Sequence, residues 1–254
     1  DFQWNTQLNL SSVLYKHKER FAFEVIPQGG QVTDPVNSIY AYKTNGILQI
    51  GEAAPAWQPA NAKNPGAPRF VDLSGDKILD KNDIIRFDAS PNITIGFGNS
   101  LSYKQFDLGF LFYSQFGGWG YNNLISWATP GGIIAGNQSG IKEVKDIWTS
   151  SNPMGTLPGV AYDEFALGLA AGVDNRLEKT DFVRCRNITL GYTFNQPAVN
   201  RYFKNLRVYA DVQNPFIITN YKIGDPEVQA AGVKGGPAPY PMATTYSFGV
   251  KTNF

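Results

Sequence analysis

Stretches of roughly ten residues in which apolar and polar side chains alternate recur along the chain, and this period of two constrains the fold more than any other feature. Near the start, Phe2, Trp4, Thr6, Leu8 and Leu10 share one face, while Gln3, Asn5, Gln7 and Asn9 share the other. Over 93–104, Ile93, Ile95, Phe97, Leu101 and Tyr103 oppose Thr94, Gly96, Gly98, Ser100, Ser102 and Lys104, with Asn99 alone breaking the apolar side. In 106–116, Phe106, Leu108, Phe110, Phe112 and Phe116 face away from Asp107, Gly109, Tyr113 and Gln115, so the two stretches read as a hairpin turning near Gln105. The pattern returns in Ile188, Leu190, Tyr192 and Phe194, in Leu206, Val208, Ala210 and Val212, and in Tyr246, Phe248, Val250 and Phe254. One stretch is out of phase: Arg184 and Arg186 share the parity of Ile188, so its apolar face either begins at Ile188 or is reset by a bulge.

Composition agrees with an all-β chain. Aromatics make up 14% of the 254 residues, charged side chains only 17%, and there are 26 glycines, a balance that favours strands and turns over helices. A net charge of +1 with Lys and Arg dispersed gives no electrostatic footprint for nucleic acid. Cys185 is the one cysteine, so no internal disulfide forms and a buried structural thiol is expected. No apolar run is long enough for a membrane helix, and Asp1 does not open a signal peptide, so a targeting segment would be removed or lie upstream.

Strands of about ten residues suit a tilted bilayer crossing, whereas globular strands average about five or six. Connection lengths point the same way. With Phe254 on the periplasmic side, 215–243 and 117–181 are external, and the turns at 195–205 and near Gln105 are periplasmic. Long loops outside and short turns inside describe a transmembrane antiparallel β-barrel with long extracellular loops, one of them an Asp-rich loop at 68–88. The stretch 13–37 is too long for a periplasmic turn in that scheme. About seven strands are expected, too few for a large barrel, so 1–254 reads as the C-terminal portion of a longer protein without its N-terminal plug domain.

The segment 72–83 places oxygen-bearing side chains Asp72, Ser74, Asp76, Asp80 and Asp83 at positions 1, 3, 5, 9 and 12, with the Ile78 carbonyl at 7, the ligand spacing of a calcium loop. Lys77 stands where a sharp turn favours glycine, and Asp83 is shorter than the usual Glu. A turn whose carboxylates bond their own backbone fits the same residues. No catalytic constellation is visible: His17 is the one histidine, and the adjacent Asp163 and Glu164 read as solvated charge, so an enzyme is not expected. Trp119, Tyr121, Trp127 and Trp148 cluster in 117–181, where their rings could stack on a sugar or peptide or simply pack the loop, and 141–150 has the spacing of a short amphipathic helix.

Six ordered segments resemble the C-terminal half of the SusC-like TonB-dependent transporters. They are Phe70 through Asp83, Gly96 to Lys104 with Phe106-Asp107-Leu108, Phe182 to Tyr192, Leu206 to Asn214, Asp225-Pro226-Glu227, and Tyr246-Ser247-Phe248-Gly249 before Phe254. The resemblance covers nearly the whole chain and implies a plugged barrel of about 22 strands in the outer membrane of a Gram-negative cell. It further implies a SusD-like surface lipoprotein as partner, TonB acting on the plug, and import of glycans or peptides. A terminal strand carrying Tyr246, Phe248, Val250 and Phe254 is what the barrel-assembly machinery recognises in such proteins. Removal of Phe254 should therefore impair insertion into outer-membrane lipid. Two other readings share these features: a secreted calcium-dependent carbohydrate-binding β-sandwich, and an outer-membrane barrel acting as scaffold or adhesin.

Overall fold

The computed structural model describes residues 2–19, 26, 28–122, 142–159, 171–197, 201–222, 224–229 and 242–253. Strand β1 (Phe2–Ser11) leads into an excursion that carries four short strands, β2 (Ser38–Tyr42), β3 (Thr44–Ile47), β4 (Pro68–Phe70) and β5 (Ile84–Asp88). The long strands β6 (Ile93–Tyr103) and β7 (Phe106–Phe116) follow as a hairpin. Short strands β8 (Trp119–Tyr121), β9 (Gly172–Val173) and β10 (Leu177–Lys179) precede three long ones, β11 (Phe182–Phe194), β12 (Asn205–Thr219) and β13 (Thr245–Asn253). The six long strands form one sheet in the order β1-β6-β7-β11-β12-β13, every neighbour antiparallel.

Register carries the alternation from strand to strand. Leu8 lies opposite Phe97, Phe97 opposite Phe112, Phe110 opposite Ile188, Leu190 opposite Ala210, and Ala210 opposite Phe248, so one continuous apolar face crosses the sheet. It stays open to its surroundings: Leu8 is 67% exposed and Phe248 84%, and among the described residues no second sheet covers it, as a sandwich would require. The opposite face carries Gln, Asn, Ser, Thr and charged side chains in the same register. Asn99, the single polar residue on the apolar side of β6, is buried there, and its Oδ1 accepts from the Trp4 indole at 2.8 Å and the Thr6 hydroxyl at 2.7 Å. The neighbouring strand thus satisfies the amide oxygen, while Nδ2 is buried without a hydrogen-bond partner.

All long connections leave from one end of this sheet. Phe2 pairs with Tyr103 and Ser11 with Thr94, so β1 starts beside the β6–β7 turn and finishes beside the start of β6. The whole of 12–92 is therefore one excursion at the end where 117–181 and 220–244 also emerge. Among the described residues, the other end holds the tight turn at Lys104 and Gln105, with Lys104 at φ +54, and the two ends of the connection between β11 and β12. This corrects the expectation for 13–37: it is no turn between neighbouring wall strands but the start of the excursion. Among the described residues six long strands make the sheet, against the expected seven or so. Strand β12 also runs past the expected 206–213, because alternation resumes at Phe216 and Ile218 beyond Asn214, which sits at φ +48.

The phase break in β11 is a bulge. Cys185 pairs with Phe112 and Asn187 with the adjacent Leu111, so Arg186 is the extra residue. Val183 and Cys185 on one side of it and Ile188, Leu190 and Tyr192 on the other thereby share the apolar face. Cys185 is fully buried, as expected of a structural thiol.

At the loop end the excursion builds its own core. β2 pairs with β5 and, in parallel, with β9, and Tyr42, Leu48, Ala62, Ala67, Phe70 and Val173 bury one another there. Two segments far apart in sequence, around 40–70 and around 173, are thus joined above the sheet. The helix expected over 141–150 is shorter: a 3-10 turn spans Lys142–Asp146, after which Ile147 bridges to Leu157.

Candidate functional site

The loop end of the sheet concentrates the chain's buried charge, and the bulge explains how. Opposite Tyr113 in register, Arg184 lies on the polar side of the sheet yet is only 3% exposed. Its Nη2 donates to both oxygens of Asp225 at 2.6 and 2.7 Å, and its Nε donates to Glu227 at 2.9 Å. Arg186, the bulged residue, donates to the other oxygen of Glu227 and stacks over the Tyr113 ring at 4.8 Å. Two arginines and two carboxylates make a neutral set, the arrangement that allows ionised groups to be buried. Asp225 also accepts from the backbone N–H groups of Glu227 at 3.1 Å and Met242 at 3.4 Å, which ties both limbs of the 220–244 connection to the strand below.

A second tether lies a few residues earlier. The Glu178 carboxylate accepts from the Asn122 amide at 2.8 Å and the Lys222 N–H at 3.3 Å, with the Lys222 ammonium 3.8 Å away. Tyr221 between them is 6% exposed, and burial raises its hydroxyl above the ordinary tyrosine range. Residues 220–222 and 224–228 are therefore fastened, as a strap, at Glu178 and at the arginine pair. The β8–β10 ribbon shares this fastening, since Leu177 pairs with Tyr121 and Lys179 with Trp119.

Trp119 and Tyr121 are half-buried on that ribbon. The Trp119 ring meets Phe87 at 5.0 Å and has the Lys179 ammonium 5.8 Å over it, and Arg176 lies 5.8 Å over Tyr121. Trp148 is 9% exposed, packs its ring edge against Gly66 and Gly159, and donates through its indole to Gln49 at 3.0 Å. The structure brings Trp119 and Tyr121 together and seats Trp148 as a packing residue of the loops. Trp127, Asp163, Glu164 and Phe254 lie outside the described residues. Tyr246, Phe248 and Val250 all stand on the apolar face, 66–84% exposed. The arginine–carboxylate cluster was missed as a site by sequence reasoning. The phase break at Arg184 and Arg186 was its one visible trace.

In the Asp-rich loop, side chains and backbone satisfy one another. Asp72 accepts from the N–H groups of Gly75 and Lys77 and from the Ser74 hydroxyl, Asp76 from Ile78, and Asp80 from Asn82. Asp83 is fully buried and accepts from Leu73, Ser74 and Asp80, closing a capping box around the Lys81–Asp83 turn. Desolvation would raise the Asp72 carboxyl, but the donors from Lys77, Gly75 and Ser74 outweigh it and hold it below the ordinary range. Lys77 adopts φ +64, the conformation the spacing assigned to a glycine. Ile78 is exposed, and among the described residues no three His, Cys, Asp or Glu side chains converge as a metal cluster. The acidic oxygens are turned to amides of their own loop.

The geometry is that of a sheet with one uncovered apolar face and a built-up loop end, and solved structures share the fold. No family model matches the chain. TonB-dependent receptor SusC of Bacteroides thetaiotaomicron is 30% identical over 195 residues, which is 73% of this chain and 17% of that receptor. TonB-dependent receptor P3 of Formosa agariphila is 24% identical over 283 residues, 100% of this chain and 27% of that one. The chain thus spans between 17% and 28% of the length of the curated relatives it matches. The solved structure of the RagAB peptide transporter superposes with a TM-score of 0.74 at 20% identity, over 100% of this chain and 27% of that one. The RagAB peptide importer in its open-open state gives 0.68 at 20% identity over the same shares. With the same alternating wall strands, and the likeness to SusC running through nearly three quarters of its length, the chain belongs to the SusC-like TonB-dependent receptors, and its six-stranded sheet is a stretch of their barrel wall.

Proposed function

We propose that this chain is part of a plugged outer-membrane barrel of about 22 strands that imports oligosaccharides or peptides, with a SusD-like lipoprotein on its outer side and TonB driving the plug. The observation that carries the reading is the uncovered apolar face shared by six antiparallel strands of 9–15 residues, backed by a polar face and decorated by long excursions at one end only. A surface of that extent is stable when lipid covers it. The loop end then faces the medium, the tight turns face the periplasm, and the strap with the β8–β10 ribbon forms part of the mouth.

The assay is made on the full-length receptor in its host. It should fractionate with the outer membrane and migrate faster on gels before heating than after. Deleting its gene should abolish uptake of either a labelled peptide pool or a labelled oligosaccharide pool, and the pool that is lost names the cargo class. Fractionation as a soluble protein, or unchanged uptake of both pools, overturns the proposal.

A further inference from the structure

The apolar face is not uniformly filled. A groove of about 520 Å³ runs across β11, β12 and β13, walled by Leu190, Tyr192, Val208, Phe248 and Val250, with Ala210 on its floor. The register explains the hollow: Ala210 offers a methyl group where its partners on either side, Leu190 and Phe248, offer full side chains. Its floor and one wall come from β11 and β12, which are paired on both sides, and its other wall from β13, at the edge of the described sheet.

The lining reaches toward the turn end through Phe106, the first residue of β7. There Phe106, Tyr192 and Phe194 stack in series at 4.9 Å, with Tyr103 and Tyr202 exposed nearby in sequence, an aromatic set of the kind that lines membrane interfaces. The two connections at this end contain Lys104, Arg201 and Lys204 and no Asp or Glu. All three cations are exposed, and among the described residues none forms an ion pair. Lys204 precedes β12 by one residue, so about 13 Å of strand rise separates it from Val208 in the groove. Phosphate held by such cations would leave an acyl chain at the height of the hollow.

We propose that this groove, with Lys104 and Lys204 at its foot, is a binding site for one anionic glycerophospholipid of the periplasmic leaflet. Its acyl chain lies over Ala210, and its phosphate lies against the turn-end cations. The proposal rests on the barrel reading above.

The test uses the full-length receptor in detergent, titrated with dioleoyl phosphatidylglycerol or dioleoyl phosphatidylcholine. The quantity read is the temperature at which the unheated gel band is lost. Phosphatidylglycerol should give a saturable upward shift that phosphatidylcholine does not match. Ala210→Phe, which fills the groove, and the Lys104→Gln/Lys204→Gln pair should each remove that preference. Ile218→Phe, at the loop end of the same face, should keep it. Loss in either the groove or the charge variant with the control intact supports the site, and if Ala210→Phe does not fold, the charge variant decides. Equal response of the wild-type protein to both lipids, survival of the preference in both variants, or its loss in Ile218→Phe as well overturns the site. Those results leave the barrel intact; the absence of any heat-sensitive folded band would instead sink the barrel reading.

Discussion

Replacing Arg184 by Met should release the strap from the wall. The guanidinium is 3% exposed and makes three charge-assisted bonds at 2.6–2.9 Å to Asp225 and Glu227. Glu227 keeps Arg186 as a partner, but Asp225, itself 8% exposed, is left with two backbone N–H groups. Stranding one buried charge in this way costs about 3–5 kcal/mol. At a factor of ten per about 1.4 kcal/mol, amide exchange of the strap should accelerate at least about 100-fold, up to the limit set by opening of the barrel. Hydrogen exchange followed by mass spectrometry of the full-length receptor reads this on peptides covering 219–229, where the Glu227 and Val228 amides are hydrogen-bonded. Adding Asp225→Asn to the Arg184→Met background removes the stranded charge and should recover much of the loss. The reasoning fails if the single variant accelerates exchange less than about tenfold, or if the second substitution brings no recovery.

Burial raises the Asp174 carboxyl, and the bonds it accepts from Thr44 pull it back only in part, so the folded state holds a proton more tightly than the unfolded chain. Its contribution therefore favours the loop-end core below the ordinary carboxylate range and is lost as pH rises through it. Asp174→Asn should flatten that pH dependence without weakening the core at pH 7, and weakening there by limited proteolysis would refute the account. Lys77→Gly relieves a left-handed lysine worth about 1–2 kcal/mol, so it should slow exchange of the 72–83 amides, and faster exchange would show the conformation to be unstrained. For the same segment, the ligand spacing predicts saturable slowing of exchange on adding calcium, while no change would leave it a self-capped turn. Gly249 lies beneath the Tyr209 ring, which a Cβ would strike, so Gly249→Ala should cost about 1–3 kcal/mol and lower the temperature at which the folded band is lost.

The wall was legible because alternation over ten residues is a local signal that repeats, and β6 with β7 needed only Gln105 between them to be read as a hairpin. The mouth was not. β2 is five residues long, and its parallel partner β9 lies about 130 residues further on, so nothing within a window of sequence announces the pair. The arginine–carboxylate cluster failed for the same reason: Arg184 and Asp225 are separated by 41 positions and by a connection whose path the sequence does not state. Aromatic content drew attention to Trp148, yet ring type alone does not distinguish a side chain offered to ligand from one wedged between Gly66 and Gly159. Parity was the more informative signal, since the misplaced arginines marked the bulge and the bulge marked the cluster.

That bulge behaves like a compensated frameshift. In a wall of period two, the count of residues matters as much as their chemistry, and the bulge takes Arg186, the single extra count, out of the ladder so that the frame is correct on both sides of it. Deleting Arg186 would close the bulge and leave both sides in frame, whereas deleting one residue of the regular run 188–194 would move part of β11 out of frame and turn Thr189 or Thr193 to the apolar side. Substitutions at the same positions change one contact at a time. Length variation should thus be tolerated in the excursions, which begin and end at the same rim, and at the bulge itself, and be excluded from the regular run 188–194 of the wall.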